Sequence, residues 1–83
     1  GGSFELYVDE VKVGEISYKS TDSNQIIADH TVVGEEFGGK GYASKLMEIL
    51  VDYARKNDLK IVGECSFVAA MFERKEEYAD VKA

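Results

Sequence analysis

Four glycines, at positions 34, 38, 39 and 41, stand between a β-branched run and a long amphipathic run, and this cluster restricts the chain more than any other feature. Glycine destabilises both helix and strand interiors, so the Gly34 to Gly41 segment is expected to be a loop. After it, Ala43, Leu46, Met47, Leu50, Val51 and Ala54 recur at helical spacing, with Lys45, Glu48, Asp52, Arg55 and Lys56 opposite. That pattern predicts a helix with one buried face. Asp52 and Lys56 are spaced to pair along it, and Asn57-Asp58 supplies its stop. A glycine turn opening a helix presents unpaired amides at the positive end of the helix dipole, which suits a phosphate. The plainer alternative is that Gly38, Gly39 and Gly41 only shape the turn.

The segments around this turn give the fold class. Phe4, Leu6 and Val8 alternate with Glu5, Tyr7 and Asp9, Asp9-Glu10 punctuates a turn, and Val13 to Lys19 alternates again, so the first two strands form an antiparallel hairpin. The polar run Ser20 to Asn24 separates them from a third strand, Gln25 to Val33. Asp29 and His30 are adjacent on that strand, and regular alternation puts them on opposite faces. Leu59 to Cys65 reads as a fourth strand, and Ser66 as the N-cap of a short helix striped by Val68, Met71 and Phe72. Glu76 to Val81 closes the chain with a turn or a short helical piece. The order β-β-β-loop-α-β-α predicts an α+β domain with a mostly antiparallel sheet and one parallel pair across the strand-helix-strand crossover. Gly1-Gly2-Ser3 is set aside as a flexible leader or cloning scar, leaving a single domain over residues 4–83.

Composition narrows the function. At 83 residues and 9.2 kDa the chain has room for one small core. Its 45% hydrophobic content is too high for disorder. A net charge of −6 repels nucleic acid and favours a cationic substrate. One Cys cannot close an internal disulfide, and one Cys with one His is a poor zinc set, so no metal is expected. No apolar run reaches membrane-spanning length and no signal sequence opens the chain, so a soluble, cytoplasmic protein is expected. The P-loop tripeptide is missing, and a dinucleotide fingerprint would follow an early strand of a parallel sheet rather than three antiparallel ones.

The run His30-Thr31-Val32-Val33 followed by Gly38-Gly39-Lys40-Gly41-Tyr42-Ala43-Ser44-Lys45-Leu46 resembles the acetyl-CoA-binding core of the GNAT N-acetyltransferases. Asp52-Tyr53-Ala54-Arg55, Leu59-Lys60-Ile61-Val62, Cys65-Ser66-Phe67-Val68 and Glu77-Tyr78-Ala79-Asp80 are similar to a minimal single-domain GNAT subfamily, and the likeness spans about residues 5–82. The resemblance implies a GNAT-like fold and an acetyl-CoA-dependent N-acetyltransferase. In it, the amides of Val32 and Val33 line the pantetheine arm. The turn of Gly38, Gly39, Lys40, Gly41, Tyr42, Ala43 and Ser44 holds the pyrophosphate. Gly41 and Ala43 match the family motif, whereas Gly38 stands where the family carries Arg or Gln. Lys75-Glu76 likewise replaces the His-Pro common in the subfamily before Glu-Tyr.

Acetyl transfer to an amine requires a deprotonated amine, a polarised thioester carbonyl and a stabilised leaving thiolate. His30 is the candidate base, since imidazole titrates near neutrality. Cys65, ahead of a helix, is the candidate nucleophile for a covalent acetyl step, with direct transfer, the default in the wider family, as the alternative. Each has a plainer reading, as a half-buried strand histidine and a small packed residue. Asp29 and Glu64 are candidates for amine recognition or proton relay, and Tyr78 for thiolate protonation by analogy with GNATs that use a late tyrosine. The expected partners are acetyl-CoA and an amine acceptor, small molecule or protein, in an open acceptor site. The competing function is a CoA-binding sensor or interaction module without turnover. Nothing in the sequence sets the oligomeric state.

Overall fold

In the computed structural model, which describes residues 1–83, the alternating first third of the chain forms three antiparallel strands: β1 (Gly2–Val8), β2 (Val11–Ser20) and β3 (Gln25–Val33). Asp9 and Glu10 join β1 to β2 with φ of 50° and 68°, the positive values that a two-residue hairpin turn requires. The helix predicted from the apolar stripe is α1 (Tyr42–Lys56), and β4 (Lys60–Gly63) returns parallel to β3. A second helix, α2 (Ser66–Arg74), and a 3-10 turn over Glu76–Val81 complete the chain. The sheet order is β1-β2-β3-β4, so the α+β class and the single parallel pair expected from the sequence are both present.

Several boundaries differ from the sequence reading, each for a physical reason. β1 begins at Gly2, which pairs with Tyr18, while Ser3 pairs with Ser17, so part of the segment set aside as a leader belongs to the ladder. Alternation gives no sign of this, because Gly2 has no side chain; a Cβ there would lie 2.8 Å from the Tyr18 hydroxyl. β4 stops at Gly63, two residues short of expectation, because Glu64 turns back to bond the Val62 carbonyl and Cys65 caps α2. Ser66 is therefore the first helical residue rather than the N-cap. The anticipated Asp52 and Lys56 pair does not form; Arg55 in the same turn binds Asp80 instead, Nε to Oδ2 at 2.9 Å and Nη2 to Oδ1 at 3.0 Å.

Residues directly opposite in a ladder share a face, so Phe4, Ile16, Thr31, Ala28 and Ile61 all point to one side of the sheet. There α1 contributes Leu46, Met47, Leu50, Val51 and Ala54, and α2 contributes Val68 and Met71, to one continuous core that also holds Tyr78 and Val81. Each fully buried aliphatic side chain contributes on the order of 1.5–3 kcal/mol. The other face carries Glu5, Glu15, Ser17, His30 and Val32, all exposed or half-buried, and is left uncovered. No helix is long and apolar enough to cross a membrane.

Candidate active site

The parallel pairing of β3 with β4 runs from Gln25 with Lys60 to Ala28 with Gly63 and then stops. Its last tie is the Cys65 amide, which donates to the Ala28 carbonyl at 2.8 Å. Beyond Ala28 the two strands separate. β3 continues to Val33 beside β2, while the chain after β4 turns away into α2. Because β3 and β4 are parallel, the elements that follow both start at the same end of the sheet. The α1 N-terminus and the α2 N-terminus therefore flank one gap, at the carboxyl end of a parallel pair where α/β proteins place ligands. Close packing confirms the approach of α1: a Cβ at Gly14 would lie 3.1 Å from Val33 and 3.2 Å from Leu46.

A β-bulge sets what lines this gap. Ser17 pairs with His30 but Tyr18 pairs with Ala28, so Asp29 is an extra residue in β3. The Gly34 amide donates to the Val13 carbonyl, which fixes Val32 with Glu15 and His30 with Ser17 as the hydrogen-bonded pairs. Val32 thus spends its main-chain groups on β2. Those of Thr31 and Val33 point the other way, into the gap. The expectation that both Val32 and Val33 amides face one groove is corrected accordingly, with Thr31 in place of Val32.

The same bulge overturns the expectation that Asp29 and His30 lie on opposite faces. Ser17 Oγ donates to Asp29 Oδ1 at 2.9 Å and lies 3.4 Å from the His30 carbonyl, so Asp29 and His30 both sit beside Ser17 on the uncovered face. Lys19 Nζ stands 3.6 Å from Asp29 Oδ2. The Ser17 hydroxyl holds the Asp29 carboxyl below its ordinary range, against burial and with help from Lys19.

Cys65 lies on the helix side of the gap, half-buried, with Sγ donating to Thr31 Oγ1 at 3.5 Å. Burial pushes its thiol up, but the Thr31 hydroxyl and the amides of Val68, Phe67 and Thr31 outweigh it, and the thiol ends below its ordinary value. Cys65 and His30 thus flank β3 from opposite faces and do not touch. Nothing in the residue pattern marks Thr31 directly, although a strand residue between His30 and the glycine turn is where a partner for Cys65 would be sought.

The glycine segment holds a 3-10 turn at Glu35–Phe37, whose Phe37 ring packs edge-on to Tyr42 with centroids 6.3 Å apart. Gly39 and Gly41 have φ of 78° and 77°, and a Cβ on either would meet nothing within 4 Å, so backbone conformation rather than crowding selects glycine there. Gly41 caps α1 with no side-chain hydrogen bond and no acidic residue in the first turn. The first amides of α1, near Tyr42, Ala43 and Ser44, consequently have no side-chain acceptor. Lys40 is exposed beside them.

Two other candidates fall elsewhere. Glu64 is exposed on the turn between β4 and α2. Tyr78 is 6% exposed and packs against the second half of α1, where burial and the carboxylates of Glu48 and Glu77 raise its hydroxyl pKa. The largest cavity, about 430 Å³ and lined by Ala54, Arg55, Asp58, Leu59, Lys60, Asp80 and Val81, is at the opposite end of α1 from the glycine turn. None of the cavities is lined by Thr31, Cys65 or the Gly38 to Ser44 turn.

Comparison with known proteins agrees with this architecture. The family described as GCN5-related N-acetyltransferase matches residues 3–81. The NMR solution structure of a GCN5-like protein from Staphylococcus aureus, assigned to the N-acetyltransferases, superposes with a TM-score of 0.81 at 38% identity, covering 100% of this chain and 82% of that one. No functionally curated protein matches the sequence. With nearly its whole length matched by the family and its fold shared with a GCN5-like protein, the chain belongs to the GCN5-related N-acetyltransferases and is an acetyltransferase.

Proposed function

We propose that the protein moves an acetyl group from acetyl-CoA to an amine, and that the reaction takes place in the gap between β3 and β4. The observation that carries this reading is the convergence of two helix N-termini and the Cys65 and Thr31 contact on the stretch of β3 that has no β4 partner. The Gly38 to Ser44 turn is suited to the pyrophosphate, through main-chain amides with Lys40 alongside. The main-chain groups of Val33, and those of Thr31 whose amide also faces the Cys65 sulfur, suit the amide-bearing pantetheine arm, which would lie along β3 like an added strand.

In this reading the Cys65 thiolate attacks the thioester carbonyl; a bond forms from Sγ to the acetyl carbon and the bond to the CoA sulfur breaks, releasing CoA thiolate. The neutral acceptor amine then attacks the same carbon, Sγ leaves, and the amine proton passes to a base. His30, on the uncovered face, is the base assigned. The acceptor approaches from that face, where no helix stands in its way.

A thermal-shift titration with acetyl-CoA, CoA and ATP is the first test. A ligand that binds only the folded state adds about 2.7 kcal/mol at about 100 times its Kd. Stabilisation by the two CoA species and not by ATP supports the reading, and no shift with any of them removes it. Mass spectrometry after acid quench tests the covalent step: an acetyl group on Cys65 in the wild type, lost in Cys65→Ala together with turnover. Full activity in Cys65→Ala replaces that step with direct transfer.

A further inference from the structure

We propose that Asp29 is the carboxylate that binds the acceptor's ammonium group, and that Lys19 holds its place until the acceptor arrives. The acceptor is then a primary amine on a flexible alkyl arm, as in a lysine side chain or the end of a polyamine. This inference rests on the acetyl-transfer reading above and names its substrate class.

Three observations converge on it. The bulge turns Asp29, the first residue past the last β3 and β4 pair, out onto the uncovered face at the mouth of the gap. Its two oxygens are then treated differently. Oδ1 accepts from Ser17 Oγ at 2.9 Å, which fixes the carboxylate's orientation, while Oδ2 faces Lys19 Nζ at 3.6 Å, beyond hydrogen-bond range. Lys19 is itself a primary ammonium on an alkyl arm, and its side chain is 66% exposed, against 22% for that of Asp29. A pair whose lysine is this exposed and this distant is weak, and the lysine is free to swing away. An incoming alkylammonium offers the same charge and reach, and makes the hydrogen bond that Lys19 does not.

The placement also suits the chemistry. Asp29 and His30 share the face beside Ser17, so an ammonium held at Asp29 is next to the only imidazole in the chain. Ser17 is a positioning residue, acting through the Asp29 carboxylate. The other carboxylates of this face are engaged differently: Glu5 and Glu15 both pair with Lys12, at 3.0 Å and 2.6 Å.

The test is steady-state acetylation of two probes, spermidine and a lysine-containing peptide with a blocked N-terminus, alongside acetyl-CoA thermal shifts on every variant. Asp29→Asn keeps the shape and the Ser17 contact but not the charge, and is expected to raise the acceptor KM at least tenfold with the acetyl-CoA shift unchanged. Lys19→Gln removes the competitor and is expected to lower the acceptor KM severalfold. Opposite movements of one KM are a signature that a merely structural pair does not give. An unchanged acceptor KM in Asp29→Asn, or a raised one in Lys19→Gln, overturns the assignment. So does a wild type that shifts with acetyl-CoA yet acetylates neither probe. Absence of any acetyl-CoA shift in the wild type instead points to failure of the underlying reading. Preference between the two probes separates a protein lysine from a polyamine.

Discussion

Cys65 draws its acidity from groups that lie far apart in the chain. Burial raises the thiol pKa, and the Thr31 hydroxyl with the amides at the start of α2 brings it below the ordinary value. Alkylation by iodoacetamide should therefore reach half its maximal rate at lower pH in the folded protein than in the urea-unfolded chain. Thr31→Val should move that midpoint upward, since burial then meets less opposition. The sign carries over to stability. The folded thiol is more acidic than the unfolded one, so folding gains as pH rises from the folded value toward the ordinary thiol value of about 8.5, and loses that gain as pH falls back through the folded value. Denaturant titrations across this window should show the rise in the wild type and not in Cys65→Ala.

At the scale of elements, the glycine turn is where sequence and conformation are most tightly linked. Gly41 is left-handed with open space around it, so Gly41→Ala should cost about 1–2 kcal/mol through the backbone alone. Gly41→Asn, whose side chain tolerates that region, should recover part of the loss in the same urea titration. That turn, α1 and the parallel pair were legible in the sequence because each leaves a periodic or compositional mark: glycine density, an apolar stripe, a crossover. The bulge at Asp29 left none. Asp29 is a poor strand former, but the β-branched residues on either side carry the strand, and one extra residue within it inverts the face and the main-chain direction of all that follow. For that reason Asp29 joins His30 on the uncovered face, and Thr31 takes the place in the gap expected of Val32. Cys65 was legible as a residue just ahead of a helix, but its partner was not, because a contact between Thr31 and Cys65 depends on how two strands separate.

The whole molecule is held at its far end by the C-terminal segment, which crosses α1 and β4 together. Arg55 grips Asp80 and the Glu77 carbonyl, Lys60 reaches the Asp80 carbonyl, the Ala83 amide donates to the Ile61 carbonyl, and Tyr78 and Val81 enter the core. This puts Tyr78 in a supporting role, away from the gap at the other end of α1, although a late tyrosine in such a fold invites a proton-donor reading. Two variants separate the roles. Tyr78→Phe keeps the ring and should leave both stability and acetylation nearly unchanged, whereas a proton donor would lose turnover with its stability intact. Tyr78→Ala should cost about 3–5 kcal/mol, as for other buried aromatics. A chain this size has only about 4–12 kcal/mol in total, so the variant should lie near the edge of folding. Because the proposed acetyl-CoA site is at the opposite end of α1, it should survive this truncation. Saturating acetyl-CoA should therefore raise the melting temperature of Tyr78→Ala as it does that of the wild type. A variant that is folded at low temperature but no longer stabilised by acetyl-CoA would instead tie the C-terminal anchor to the site.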